Sequence, residues 1–415
     1  MNTNIEKSDR SLLKKMGTFC FLCCLVYFSS YITRKSFNAS IVEIIKSTNL
    51  DKPDMSPAIV GNFISYGAGQ ILNGILGDRF SPRKMITAGL LGAALCNILI
   101  PQFLTPVGMC IVWSFNGFFQ SMIWPPLVRS MSENFTLEYY KKGTTLVSVA
   151  CCVATVAIYF LVVLFVEIAS WKYTFYFCTL IGVLSAFLWY YVYGKYEHHP
   201  IVDRVQDSSK DAEPSTPVTR PSFWKVIIMS SAVPIAIVVA LQGFLRDGIE
   251  TWMPSFLSEE YSIATSGALL TTAILPILSI LSYSVGSFFQ RKTGCAFKSN
   301  TVLWIFAVVF SLLLLIFYKS SMLMGIVGFA VLSAASHAIN LMLTTRIVIH
   351  YKKVGYVSTF SGLLNSFTYV GAAVASYGIA NISWDVAMPV FFGVSVAGLV
   401  FSLIALPRWI KFTKE

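Results

Sequence analysis

The sequence predicts an all-α integral membrane protein, with twelve transmembrane helices arranged as two six-helix bundles. Three observations carry that expectation. Of the 415 residues, 55% are hydrophobic and only 12% are charged, about half the charge of a soluble domain, and the mean hydropathy is +0.67. Apolar runs of about 20 residues, long enough to cross a bilayer as a helix, recur near residues 30, 67, 93, 118, 156, 183, 240, 275, 308, 335, 368 and 396. Finally, residues of one half recur in the other at a constant offset of 212, the mark of an internal repeat.

The first run is too long for a cleaved signal and lacks a short apolar core ending in a small-residue site, so it is expected to be a span. Orientation follows from the loops. Threading twelve spans from a cytoplasmic N-terminus puts 23 of the 31 Lys and Arg residues on that side and four, Lys46, Lys52, Lys172 and Lys319, on the other. The positive-inside rule then predicts that both termini are cytoplasmic. This distribution also argues against nucleic acid as the reason for a net charge of +11. Four basic residues remain within spans: Arg34, Lys35, Arg129 and Arg246. The nine cysteines predict no disulfide framework; Cys20, Cys23 and Cys24 read as small apolar filler.

Residues 195–222 are polar and carry Pro and Ser, the composition of a flexible linker. They divide a bundle over 1–194 from a bundle over 223–415. Across that linker Arg34 matches Arg246, Gly74 matches Gly286, Arg79 matches Arg291, Lys141 matches Lys353 and Gly143 matches Gly355. Parallel six-span repeats with a substrate site near the midplane are how the major facilitator fold is built. The stretch GILGDRFSPRK, residues 74–84, resembles the signature loop of that superfamily. Gly74 and Gly77 allow close helix approach, and Asp78 and Arg79 are expected to form ion pairs that hold one conformation.

Arg34 lies about one turn, roughly 5 Å, from the middle of the first span, where a charge costs roughly 2.5–3.5 kcal/mol. Arg246 stands at matching depth in span 7. Matched depth argues against snorkelling and for two guanidinium groups facing a hydrated central cavity, where each can bind an anion bidentately. Polar stripes at helical spacing support a hydrated path: Tyr27, Tyr31, Arg34 and Asn38 in span 1, Asn62, Tyr66, Gln70 and Asn73 in span 2, Ser361, Asn365, Thr368 and Tyr369 in span 11. Any single Asn or Ser among them reads rather as an interhelical hydrogen bond; it is the three stripes together that favour the path. Lys35 points about 100° from Arg34, either adding charge to the cavity or pairing with an acid at its rim. Glu250 is placed to neutralise Arg246 at i,i+4; alternatively Asp247 and Glu250 serve as a latch or proton carrier. Arg129 is expected to anchor to Asp78 or to lipid headgroups. His337 and Asn340 either line the cavity or pack with hydrogen-bond partners.

YITRKSF in span 1, GDRFSPRK after span 2, WPPLVRSM in span 4, FLRDGIETWMPSFL in span 7 and KKVGYVSTFSGLLNSFTYVG at span 11 resemble the organophosphate:phosphate antiporter family of the major facilitator superfamily. That resemblance implies a multi-pass cell-membrane transporter, monomeric and without a cofactor, working among membrane lipids. It would exchange a small anionic organic phosphate for inorganic phosphate by alternating access. It also implies that Arg34 and Arg246 bind the phosphate, with Tyr27, Tyr31, Tyr66 and Tyr369 at site positions. Two positions depart from the family pattern: Gln70 replaces a lysine and Ala154 a histidine of the glycerol-phosphate carriers. A less cationic pocket follows, open to a larger sugar phosphate or a less charged anion. Gln70→Lys is then expected to favour doubly charged phosphate. Two other readings stay open: a proton- or sodium-coupled carboxylate transporter of the same superfamily, and a non-transporting anion sensor on the same fold. An enzyme is not expected, because the sequence holds no Gly-Lys phosphate loop, no metal-spaced ligand set and no Ser-His-Asp arrangement.

Overall fold

The computed structural model describes residues 2–48, 50, 52–197, 201, 221–263, 271, 274–380 and 382–414. Residues 198–200 and 202–220 of the expected linker fall outside them. The described residues are helical and contain no strand. The helices are α1 (Asn2–Ser47), α2 (Lys52–Gly77), α3 (Pro82–Leu99), α4 (Pro106–Ser121), α5 (Trp124–Asn134), α6 (Leu137–Ile168) and α7 (Lys172–Glu197). There follow α8 (Phe223–Met229), α9 (Ala232–Tyr261), α10 (Ile274–Thr293), α11 (Ala296–Phe317), α12 (Met322–Leu341), α13 (Val357–Ala380) and α14 (Trp384–Lys414). Each span centre read from the sequence falls inside one of these helices. Eight segments among the described residues are long and apolar enough to cross a membrane, so the chain is a multi-pass membrane protein.

Local chemistry sets several helix starts. Ser81 caps α3 by accepting from the Lys84 amide, with Pro82 in the first turn. Thr105 and Pro106 start α4 in the same way, and Thr136 caps α6 through the Tyr139 amide. Before α13 the backbone passes through Gly355 at φ 75°, a left-handed conformation that only glycine adopts without strain.

The chain divides into two compact units, Met1–Arg220 with Gly355–Gly362, and Pro221–Val354 with Leu363–Glu415. In the first, α2 packs on α4, α3 on α7 and α4, and α1 on α6 and α7. In the second, α10 packs on α12, α11 on α14 and α12, and α9 on α14. These are the same pairings at repeat-equivalent positions, so the 212-residue periodicity of the sequence is a periodicity of packing. The remaining equivalent, α9 on α13, is tight: a Cβ on Gly371 would strike the Ala240 carbonyl oxygen, and one on Gly243 the Thr368 carbonyl.

The interior is an apolar core that also holds many polar residues, while large apolar side chains cover the exterior. Ser29, Thr33, Asn97, Asn116 and Gln120 are buried, whereas Phe21, Phe115, Phe160 and Leu184 are exposed. Those exposed apolar side chains suit a lipid surround, which solvates them and leaves polar ones to find partners inside. The cysteines are free, and Cys20 and Cys23 are buried in the first unit.

Candidate functional site

In the first unit, one face of α1 is fixed by a hydrogen-bonded seam to α3 and α4. Ser30 Oγ donates to Gln120 Oε1 at 2.5 Å, and Gln120 Nε2 donates to the Ser30 carbonyl at 3.0 Å and Thr33 Oγ1 at 2.8 Å. Ser36 Oγ donates to Asn97 Oδ1 at 2.7 Å, and Asn97 Nδ2 returns to the Thr33 carbonyl at 2.7 Å. Buried bonds of this kind fix the rotation of α1 about its axis. Residues 27, 31, 34 and 38 are thereby held on another face.

There the aromatic side chains meet the cation. The Arg34 guanidinium lies 4.0 Å from the Tyr66 ring centroid and 5.9 Å from that of Tyr31, within cation–π range. Tyr31 and Tyr27 are 5.0 Å apart, and Tyr27 stands 4.6 Å from Trp124. Arg34 is 7% exposed. It lines a hollow with Lys35, Asn38, Asn62, Phe63 and Trp113. Lys35 is thus among the residues that line the hollow beside Arg34. Asn62 is oriented by donating to the Trp113 carbonyl at 2.9 Å.

Gln70 is not among the residues that line this hollow. It is fully buried, with Nε2 donating to the Ser121 carbonyl at 3.4 Å, and its own carbonyl faces Gly362 so closely that no Cβ fits there. A packed position changes the expectation for Gln70→Lys. A cation buried there costs roughly 2.5–3.5 kcal/mol, so the variant should melt at a lower temperature in detergent. Unchanged melting with tighter phosphate binding would place residue 70 at the anion.

The turn after α2 behaves differently from its expected ion pairs. Asp78 accepts from the backbone amides of Ser358 and Thr359 at 2.8 Å each, and from Thr359 Oγ1 at 2.5 Å. It thus caps the first turn of α13, where amides lack intrahelical partners and the helix dipole favours an anion. Burial pushes the Asp78 carboxyl above its ordinary value, against the pull of those donors and of Arg129. Arg129 does not bridge to Asp78. Its Nη1 donates to the carbonyls of Gly77 at 2.7 Å and Phe80 at 3.3 Å, and its Nε pairs with Glu133 at 2.7 Å. Backbone carbonyls at the end of α2 outcompete a carboxylate that α13 already satisfies. Arg79 is exposed. Asp78→Ala should cost about 1–2 kcal/mol and speed amide exchange at Ser358 and Thr359; unaltered protection there would show that the cap contributes nothing.

In the second unit Arg246, 9% exposed, forms a two-pronged pair with Asp247, Nε to Oδ1 at 3.1 Å and Nη2 to Oδ2 at 2.8 Å. Its neighbour in sequence, not Glu250, takes the ion pair. Glu250 instead bonds His337 Nε2 at 2.6 Å, and His337 Nδ1 lies 3.3 Å from the Tyr283 hydroxyl. Asn365 and Tyr369 are buried on α13. Sequence reasoning missed the His337–Glu250 pair, although an acid and a histidine within two apolar spans were its available signal. It also missed Arg346, placed by charge count in a loop but buried at 3% exposure on a π-helical turn, Met342–Arg346, with Nη2 3.3 Å from Ser287 Oγ.

Known proteins give the geometry a context. The model described as Major Facilitator Superfamily matches residues 23–376. A probable hexose phosphate transport protein of Chlamydia muridarum is 22% identical over 97% of this chain and 94% of its own. The glycerol-3-phosphate transporter of Bacillus subtilis is 25% identical over 62% of each chain. The membrane sensor protein UhpC of Escherichia coli K12 is 32% identical over 26% of this chain and 25% of its own. Among solved structures, a bacterial homologue of the iron transporter ferroportin in an outward-facing state superposes with a TM-score of 0.67 at 11% identity, covering 96% of this chain and 100% of that one. FucP in the outward conformation gives 0.66 at 11% identity over 95% and 97%. At such identity these two speak for the fold alone.

Proposed function

Because the chain belongs to the Major Facilitator Superfamily, we propose that it carries an organic phosphate across the cell membrane, exchanging it for inorganic phosphate by alternating access. The reading includes twelve crossings, two six-helix bundles over 1–194 and 223–415 joined by a cytoplasmic linker over 195–222, both termini cytoplasmic, and a monomer without catalytic activity. One observation carries the substrate class: a buried arginine seated over Tyr66, beside Lys35, in a helix that should otherwise repel charge. Such a pair of cations at one hollow is stable when an anion shares it. Arg34 and Arg246 supply the phosphate-binding guanidinium groups, with Tyr27, Tyr31, Tyr66, Asn365 and Tyr369 around the ligand and Asp78, Arg79 and Arg129 serving the conformational change. The hexose phosphate and glycerol-3-phosphate transporters among the relatives support the same class.

A panel of sugar phosphates, glycerol 3-phosphate, inorganic phosphate and dicarboxylates, each added to purified protein, tests the class. A ligand that binds the folded state raises its melting temperature by mass action. Phosphate esters should stabilise and dicarboxylates should not; the reverse order would turn the reading to a carboxylate carrier. The 108-residue likeness to a membrane sensor at 32% identity favours a second reading, in which the anion binds but is not moved.

A further inference from the structure

We infer that the groove between α3 and α7, on the outer surface of the first unit, binds an anionic phospholipid, with an acyl chain along the groove and the phosphate at Lys84 and Lys195. Thr87, Leu91, Ala186, Phe187, Tyr190 and Tyr191 line the groove. Leu91, Phe187, Tyr190 and Tyr191 are exposed. Both helices belong to segments apolar enough to cross a membrane, so this surface meets lipid. Thr87 spends its hydroxyl on the Arg83 carbonyl, at 2.8 Å, which leaves the wall apolar at that point.

One end of the groove is basic. There the start of α3 meets the end of α7, and Arg83 closes the groove. Its guanidinium lies 3.9 Å from the Tyr190 ring centroid, Nε donates to the Tyr190 carbonyl at 2.7 Å, and Nη1 stands 3.7 Å from Glu197 Oε2. Arg83 is thus fixed, and its charge is answered by Glu197, which also accepts from the Ser81 hydroxyl. Glu133 is likewise engaged, by Arg129. The lipid phosphate falls to the neighbouring lysines. Lys84, Thr87 and Leu91 follow at i, i+3 and i+7 on α3, and Phe187, Tyr191 and Lys195 at i, i+4 and i+8 on α7. Helical spacing therefore puts each lysine on the face that its helix gives to the groove. Both are exposed, and neither forms an ion pair among the described residues. Two such ammonium groups at the mouth of an apolar groove are complementary to a phosphodiester with chains attached; a free anion would meet the charge and leave the groove unused. Tyr190 and Tyr191 stand between chain and head group, the level at which such rings sit in a bilayer. On the orientation proposed above this end meets the cytoplasmic leaflet, where basic pockets between helices bind anionic head groups.

Purified full-length protein in an uncharged detergent is titrated with dioleoylphosphatidylglycerol, with dioleoylphosphatidylcholine or with inorganic phosphate, and its melting temperature is followed. Phosphatidylglycerol should raise it more than phosphatidylcholine, which has the same chains and no net charge. Lys84→Gln and Lys195→Gln should each raise the phosphatidylglycerol needed for half the effect about fivefold, the worth of one lysine at an anionic surface. Leu91→Trp, which fills the groove and leaves every charge in place, should weaken the effect as well. Lys225→Gln, which removes an exposed lysine of the second unit, should not. All four positions are exposed, so these variants should fold. Equal responses to the two lipids overturn the site, as does a wild-type response in the lysine variants or in Leu91→Trp. A loss in Lys225→Gln as large as in Lys84→Gln means diffuse attraction to any basic surface and overturns it too. Should the effect of inorganic phosphate depend on Lys84 and Lys195 in the same way, these residues take the free anion and the lipid site fails.

Discussion

Arg34→Lys and Arg246→Lys should each cut phosphate exchange by about tenfold or more while leaving the protein folded and inserted. Lysine keeps the charge and loses the planar fork, and one hydrogen bond to a charged group is worth about 1.5–3 kcal/mol; each 1.4 kcal/mol is about a factor of ten. At Arg34 a second loss adds to the first. The guanidinium lies 4.0 Å over Tyr66, a stacking that a compact ammonium on a flexible stem holds less well. Arg129→Lys supplies the contrast, because Arg129 is engaged with the Gly77 and Phe80 carbonyls and Glu133; its substrate affinity should change much less. Normal transport by Arg246→Lys together with lost binding in Arg129→Lys would mean that the site is misplaced.

Gly371→Val should leave no folded protein to measure. A Cβ there runs into the Ala240 carbonyl oxygen on the neighbouring backbone, which cannot move aside as the tip of a flexible side chain can. Overpacking a core costs about 1–3 kcal/mol when side chains absorb it; here α9 and α13 must separate along their whole crossing, and the Gly243 contact with Thr368 separates with them. Gly393→Ala, whose added Cβ meets nothing within 4 Å, should fold as wild type. Monodisperse Gly371→Val protein on size-exclusion chromatography, with an unchanged melting temperature, would show that α9 and α13 do not cross as closely as they do here.

The fold was legible because bilayer crossing and repetition both write periodic signals. Each apolar run became a helix, and the offset that pairs Arg34 with Arg246 reappears as matching helix pairings in the two units. The aromatic face around Arg34 was legible too, since Tyr27, Tyr31 and Arg34 follow the helical period and Tyr66 answers them from α2. Partner choice among charges was not. Spacing alone favours Arg246 with Glu250, but a bidentate grip on Asp247 and a histidine from α12 decide otherwise, and nothing local to α9 announces α12. Likewise Asp78 here accepts from a backbone amide 280 residues away, a partner that its own turn does not announce. The close approach of the Gln70 carbonyl to Gly362 is equally silent in the stripe on which Gln70 lies.

Whether the protein moves its ligand or only senses it is the point on which everything else depends, and counterflow decides it. Purified protein reconstituted into liposomes loaded with unlabelled inorganic phosphate should accumulate labelled phosphate from outside. Empty liposomes should take up little, because exchange needs an anion on each side. Uptake should fall by about tenfold in Arg34→Lys, as the loss of one charged hydrogen bond requires. Saturable binding of phosphate without any counterflow would contradict transport and leave an anion sensor.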